Sequence, residues 1–367
     1  MKTKGVIFFV SVIVLALSIP AEAVDWELYG SARVRTWYYG HKNQDPEPAF
    51  SSRTIWGLQG NSRIGATVKS GDVGGRFEYG GTSEVKLRRL YGTWDFGNGE
   101  LLVGQEYTPL DFTISSQVVL QDLGLNGWGT TFSRKPMLQV TMFGFDIALV
   151  NPSTSDLEGR YINDPNGAEK AADTNARFPS LETKYTYSAS QLTLKAIAGF
   201  STYEIADDMN NKDDVHRWIA GVAARYDMGP AYIAAQFQYG QNLGTWRIAA
   251  DWEGEPEIGF LPASSADPLV VNGDVKDNYG YGYAFECGYV PNNRIKFAAG
   301  LGGVSYKVDM SGTTDDTAIV VFFNSHIMLS SNTMVVPEAG YFDAQEDGFG
   351  DPQHQTVYVG AKWQINF

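Results

Sequence analysis

The sequence predicts an all-β chain closed into a sixteen-stranded antiparallel transmembrane β-barrel. Three observations carry this. The last thirteen residues, Gln355 to Phe367, alternate strictly. Val357, Val359, Ala361, Trp363, Ile365 and Phe367 fall on one face, and Thr356, Tyr358, Gly360, Lys362, Gln364 and Asn366 on the other, which is the period of a strand with two different faces. An apolar face that persists to the terminal residue suits a closing strand that leaves no open edge in lipid. Next, tight turns and longer connections alternate along the whole chain, as in single-chain barrels. Finally, past residue 23 nothing approaches the run of about 20 apolar residues that a membrane helix needs.

The first 23 residues read as a cleaved export signal. Lys2 and Lys4 are basic, Val6 to Leu17 is apolar, and Ala21-Glu22-Ala23 is a small-x-small cleavage site. Residues 24–367 are then the barrel. Across all 367 residues the aromatic content is 13%, with 40 glycines, which suits short strands, tight turns and aromatic girdles. Hydrophobic content is only 43%, as expected when every second strand residue meets a wet lumen. Net charge is −14, and losing Lys2, Lys4 and Glu22 with the leader makes it −15. That argues against a nucleic-acid partner. The single Cys287 excludes an internal disulfide framework and falls on the apolar side of its strand, which reads as packing.

The strands follow in order. Trp26 to Tyr38 puts Leu28, Ala32 and Val34 on one side and Glu27, Ser31, Arg33 and Arg35 on the other. The second strand ends RIGATVK, with Ile64, Ala66 and Val68 outward and Arg63, Thr67 and Lys69 inward. The Ser70-Gly71-Asp72 turn leads to GGRFEYG, which sets Phe77 and Tyr79 against Arg76 and Glu78. The fourth strand, near Val85 to Phe96, sets Leu90, Trp94 and Phe96 against Arg89, Tyr91, Thr93 and Asp95; Arg88 takes the outward parity and reads as a rim residue. Gly97-Asn98-Gly99 is a hairpin signal before ELLVGQEY. A connection from Thr108 to Pro136 follows, containing Asp111, Asp122 and Trp128, and its apolar residues argue against disorder. Eleven further strands reach Phe367, with turns at Phe143-Gly144, Ser188-Ala189-Ser190, Met228-Gly229, Pro291-Asn292-Asn293 and Ser330-Ser331-Asn332. Longer polar or acidic loops run over Pro152 to Pro179, around Asp207 to Asp214, and from Gln241 to Lys276. No repeat of propeller or β-helix type is present.

In their order and spacing, the segments YGSARVR, NSRIGATVK, GNGELLVGQEYTP, VVPEAGY and AKWQINF resemble those of the trimeric sixteen-stranded porins of the Gram-negative outer membrane. The GQNLG, VPEAGY and AKWQINF segments are also similar to the dicarboxylate-type, DcaP-like porins. Those carry an amino-terminal coiled coil, whereas here a strand begins at Trp26. The resemblance implies a homotrimer in the bacterial outer membrane, in contact with lipid and passing small solutes and anions, with no cofactor. It also implies that the third loop, Thr108 to Pro136, folds into the lumen and brings Asp111 and Asp122 to the constriction.

The wall candidates for that constriction are Arg33, Arg35, Arg63, Arg76 and Arg89, each on the polar side of its own strand. Arginine presents a bidentate fork to carboxylate and phosphate, so five of them on one wall favour anions. The expected function is a passive diffusion channel with anion preference; a substrate-specific channel binding small dicarboxylates, or a closed adhesive barrel, are the alternatives. His41, His216, His326 and His354 are scattered, and no G-x-S-x-G, HExxH, P-loop or EF-hand spacing is present, so neither an enzyme nor a metal site is expected.

Overall fold

The computed structural model describes residues 24–42, 52–81, 84–122, 125, 134–152, 173–206, 212–243, 268–271, 274–346 and 348–367. The expected leader, residues 1–23, lies outside them, as do most of the loops over 43–51, 153–172 and 244–267.

The strands are β1 (Asp25–Lys42), β2 (Ser52–Leu58), β3 (Arg63–Ser70), β4 (Val73–Gly80), β5 (Lys86–Asp95), β6 (Glu100–Tyr107), β7 (Arg134–Met142), β8 (Phe145–Val150), β9 (Asp173–Asn175) and β10 (Ser180–Ala189). They continue with β11 (Leu192–Ala206), β12 (Lys212–Met228), β13 (Ala231–Gln241), β14 (Leu269–Val271), β15 (Asp274–Lys276), β16 (Asn278–Asn292), β17 (Ile295–Val308), β18 (Asp316–Met328), β19 (Thr333–Glu346) and β20 (Gln355–Asn366). One helical turn, α1 (Val119–Asp122), interrupts them. These make sixteen staves. β2 and β3 both pair with β1 and form one stave, β9 and β10 both pair with β11 and form another, and β14–β15 is a separate hairpin. Every neighbour is antiparallel, and β20 pairs with β1 from Ser31↔Asn366 to Lys42↔Gln355, which closes the ring.

The seam extends to the last residue. Gly30 N–H donates to the Phe367 carbonyl at 2.6 Å, and Phe367 N–H donates back at 3.1 Å. Alternation then sorts the side chains. Leu28 is 76% exposed, Ile64 60% and Val359 51%, all on the outer face, while Arg33 and Glu78 on the inner face are 8% and 0% exposed. Cys287 lies on the apolar outer side as expected, but exposed and not packed in an interior.

Two expectations need correction. The connection after β6 is shorter than Thr108 to Pro136, because β7 begins at Arg134 and Pro136 pairs with Gln105. Arg88 is not a rim residue. The register slips between Glu78↔Arg89 and Tyr79↔Leu87, so β5 carries one extra residue there. A bulge of this kind re-aims a side chain, and Arg88 turns inward to 7% exposure.

One buried apolar cluster joins the connection after β6 to the wall. Leu110, Phe112, Val118, Val119 and Leu125 of the connection pack with inward residues of the wall, among them Trp37, Ile197, Ile219, Phe322 and Tyr358. Each such side chain contributes about 1.5–3 kcal/mol when removed from water. Glycines on the inner face make room for the rings. A Cβ on Gly360 would stand 2.1 Å from the Thr36 carbonyl oxygen and 2.4 Å from the Trp37 ring.

That backbone contact lies in the closing seam and no rotamer change relieves it. Gly360→Val is expected to lower the folded fraction in detergent, read as loss of the compact band on an unheated gel. Gly57→Ala, where a Cβ meets nothing within 4 Å, is expected to fold as the wild type.

Candidate functional site

The inward alternation brings the arginines of β3, β4 and β5 onto one carboxylate. Glu78 is fully buried and sits at their centre. Arg88 Nε donates to Glu78 Oε1 at 2.7 Å, and Arg76 Nη2 donates to Oε2 at 3.4 Å. Arg63 Nη1 and Arg89 Nε stand 3.6 and 3.9 Å from Oε1. Tyr29 O–H adds a donor to Oε2 at 3.0 Å and itself accepts from Arg76 Nε at 2.8 Å. Arg89 also pairs with Glu106 at 3.2 Å. Arg89 and Arg134 both lie over the Tyr107 ring, 4.6 and 5.2 Å from its centroid. The wall therefore holds five guanidinium groups against two carboxylates, a surplus of positive charge fixed by mutual packing.

Of the expected arginines, the structure brings Arg63, Arg76 and Arg89 together. Arg33 goes elsewhere: its Nη1 meets Asp122 Oδ2 at 2.5 Å. Arg35 stands opposite Lys362 in the β1–β20 register. Sequence alternation missed Arg88 and Arg134, and it put Glu78 on the inward face without showing that the arginines gather on it. The consecutive pair Arg88-Arg89 inside a strand breaks period two and was the visible sign of the bulge.

The segment from Thr108 to Asp122 contacts inward residues of successive staves. Leu110 and Phe112 lie against the positions of Gly199 on β11 and Gly221 on β12. Ser116 N–H and Oγ donate to Glu286 of β16 at 2.6 and 3.0 Å. The Ser116 carbonyl accepts from Asn324 Nδ2 of β18 at 2.9 Å. Val118 and Val119 N–H both donate to Glu338 of β19, at 2.7 and 3.0 Å, where the carboxylate caps the first turn of α1. Gln117 donates to Tyr358 of β20 at 3.0 Å.

Asp122 ends this path. Its φ of 63° turns the chain out of α1, in the left-handed region that Asp tolerates better than most residues. Besides Arg33 it holds Lys362 at 3.0 Å and accepts from Asn61 Nδ2 at 3.0 Å. Asn61 comes from the break between β2 and β3, where Gln59 N–H still reaches the Arg33 carbonyl at 2.8 Å. Burial pushes the Asp122 carboxyl up, but Lys362 and Arg33 outweigh it and hold it below the ordinary value. Asp122 is thus tied to Arg33, Lys362 and Asn61. Asp111 lies at the other end of the path and accepts from Thr113 Oγ1 at 3.3 Å. Burial holds its carboxyl above the ordinary value, opposed by Lys184 and Lys195. Among the described residues, no group of three or more His, Cys, Asp or Glu is placed to hold a metal ion.

No protein-family model matches the chain, and no curated protein matches it. Solved structures do. The anion-selective porin of Comamonas acidovorans superposes with a TM-score of 0.61 at 13% identity, covering 94% of this chain and 100% of that one. OmpF of Salmonella typhi, in complex with daunomycin, gives 0.59 at 13% identity over 95% and 99%. OmpT of Vibrio cholerae, an outer-membrane protein in its trimer form, gives 0.58 at 13% identity over 94% and 100%. The chain has the closed sixteen-strand antiparallel barrel fold of these porins.

Proposed function

We propose that the chain is a porin of the bacterial outer membrane, with residues 1–23 as its cleaved export leader. It forms a passive channel for small hydrophilic solutes that prefers anions. The observation that carries this is the inward wall of Arg63, Arg76, Arg88 and Arg89 around Glu78, with Arg134 beside them over the Tyr107 ring. The segment from Thr108 to Asp122 has contacts on β11, β12, β16, β18, β19, β20 and β1, and in this reading the arginine wall faces the open part of the lumen. In this reading the segment lies in the lumen and narrows it, and the exposed apolar outer band is the lipid contact, about 25 Å tall. A wall of one charge raises the local concentration of counter-ions, and salt screens it over about 10 Å at 0.1 M. The solved relative that is itself anion-selective is consistent with this, though it shares only 13% identity.

The test is the reversal potential across a KCl gradient in planar bilayers. The wild type is expected to prefer anions, most strongly in dilute salt. Arg63→Ala with Arg76→Ala is expected to shift the potential towards cation preference. A cation-preferring wild type, or an unmoved double variant, sinks the reading.

A second expectation concerns the tether. Asp122→Ala removes the partner of Arg33 and Lys362 and is expected to raise single-channel conductance or make it flicker between levels. Unchanged steady conductance would place the narrowest point elsewhere.

We also propose a homotrimer, as the trimer form of the Vibrio cholerae relative illustrates for this fold. Cross-linking in mild detergent is expected to give a band at three times the monomer mass; monomer alone counts against it.

A further inference from the structure

The staves on the far side of the ring from the arginines carry a second line of cations. Lys184 on β10, Lys195 on β11, Arg225 on β12 and Lys296 on β17 all have inward parity. The register connects them. Lys195 stands opposite Thr186 and Ala223, so Lys184 and Arg225 are its diagonal neighbours, two residues along on either side. Such diagonals place Cβ atoms about 7–8 Å apart, within reach of long side chains. Arg225 is opposite Ala234, two residues from Tyr232. Tyr232 is opposite Gly288, which faces Ala298, two residues from Lys296. Each step moves towards the tight-turn end of the barrel.

Tyr232 joins the last two steps. Arg225 lies 3.8 Å above its ring centroid and the Lys296 ammonium 5.1 Å away. Gly288 makes this possible, because a Cβ there would stand 2.1 Å from the Tyr232 ring. The Tyr232 hydroxyl is fixed by donating to Glu286 at 2.6 Å. Some of the positive charge on this line is answered. Lys184 pairs with Asp146 at 3.1 Å, and Arg225 with Asp227 at 2.8 Å. Glu286 is near but fully buried, and its two oxygens accept from Ser116 and Tyr232. Lys195 and Lys296 are half-buried, and among the described residues neither forms an ion pair. Asp111 acts on Lys195 and Glu286 on Lys296 only from beyond salt-bridge distance, and a half-buried ammonium with no contacting carboxylate is unfavourable, so these two groups are poised to gain from a mobile anion.

We propose that Lys195, Arg225 and Lys296 form a second anion station, on the tight-turn side of the segment from Thr108 to Asp122, for oxyanions that carry two charge centres. A compact monoanion meets one step at a time. An anion with separated charges can touch Arg225 together with either lysine, and so dwells there. The inference rests on the channel reading above, and not on the ion preference of the arginine wall.

The experiment uses the full chain in planar bilayers, with inorganic pyrophosphate added to one side at a time. Current block is expected at lower concentration from the tight-turn side. Lys195→Gln with Lys296→Gln is expected to weaken that block about tenfold or more, the scale of losing one or two charge-assisted contacts. Lys307→Gln, which removes an exposed lysine paired with Asp315, is expected to leave it unchanged. The compact band on an unheated gel checks that each variant folds, and Lys296→Arg, which keeps the charge, is expected to retain the block. Equal block from both sides, or an unmoved double variant, overturns the station. The reversal potential, measured in the same bilayers, reports separately on the arginine wall, so either idea can fall without the other.

Discussion

Everything in this structure depends on the pairing of β20 with β1. A sheet with an open edge leaves a row of unpaired N–H and C=O groups, which a hydrocarbon surround cannot satisfy. Closure removes that edge, and it does so down to the Gly30–Phe367 pair. Once the ring is closed, each strand residue has one of two fates. It points out, where Leu28, Ile64 and Val359 are exposed and apolar, or it points in. The basic wall follows from that constraint, because Arg63, Arg76 and Arg89 have no other side to occupy.

Placing several guanidinium groups on one wall creates repulsion that the fold must relieve. Glu78 does this at the centre, and the extra residue in β5 lets Arg88 join while Arg89 still reaches Glu106. Removing one partner from such a buried cluster costs far more than the cluster itself contributes, roughly 3–5 kcal/mol for an uncompensated charge. The arrangement is therefore rigid as well as charged. Stacking of Arg89 and Arg134 on Tyr107 adds to that rigidity, because planar guanidinium groups keep their geometry when stacked.

Much of this was legible in the sequence because period two is a local rule. The strands, their faces, the alternation of turns and loops, and the inward arginines all follow from neighbours in the chain. What was not legible depends on partners far away. Arg88 is inward only because one strand slips against another, and only its adjacency to Arg89 hinted at it. Nothing local in the sequence around Glu286 and Glu338 says that they accept backbone N–H groups more than 160 residues earlier in the chain. Asp122 was read as an acid at the opening for the same reason: its partners, Arg33, Asn61 and Lys362, come from both ends of the chain.

Those anchors also explain how a chain of net charge −14 can present a basic interior. Glu286 and Glu338 are spent on the N–H groups of Ser116, Val118 and Val119, and Asp122 on Arg33 and Lys362. Each of these acids is turned towards the connecting segment or its wall and away from open water. The backbone donors of Ser116, Val118 and Val119 need acceptors that no helix or sheet supplies. Carboxylates on the wall fill that need. These acids hold the segment to β1, β16, β19 and β20, while Arg63, Arg76, Arg88 and Arg89 gather around Glu78. The same closure that gives the barrel no edge thus divides its inward acids between tethering that segment and neutralising the arginine wall.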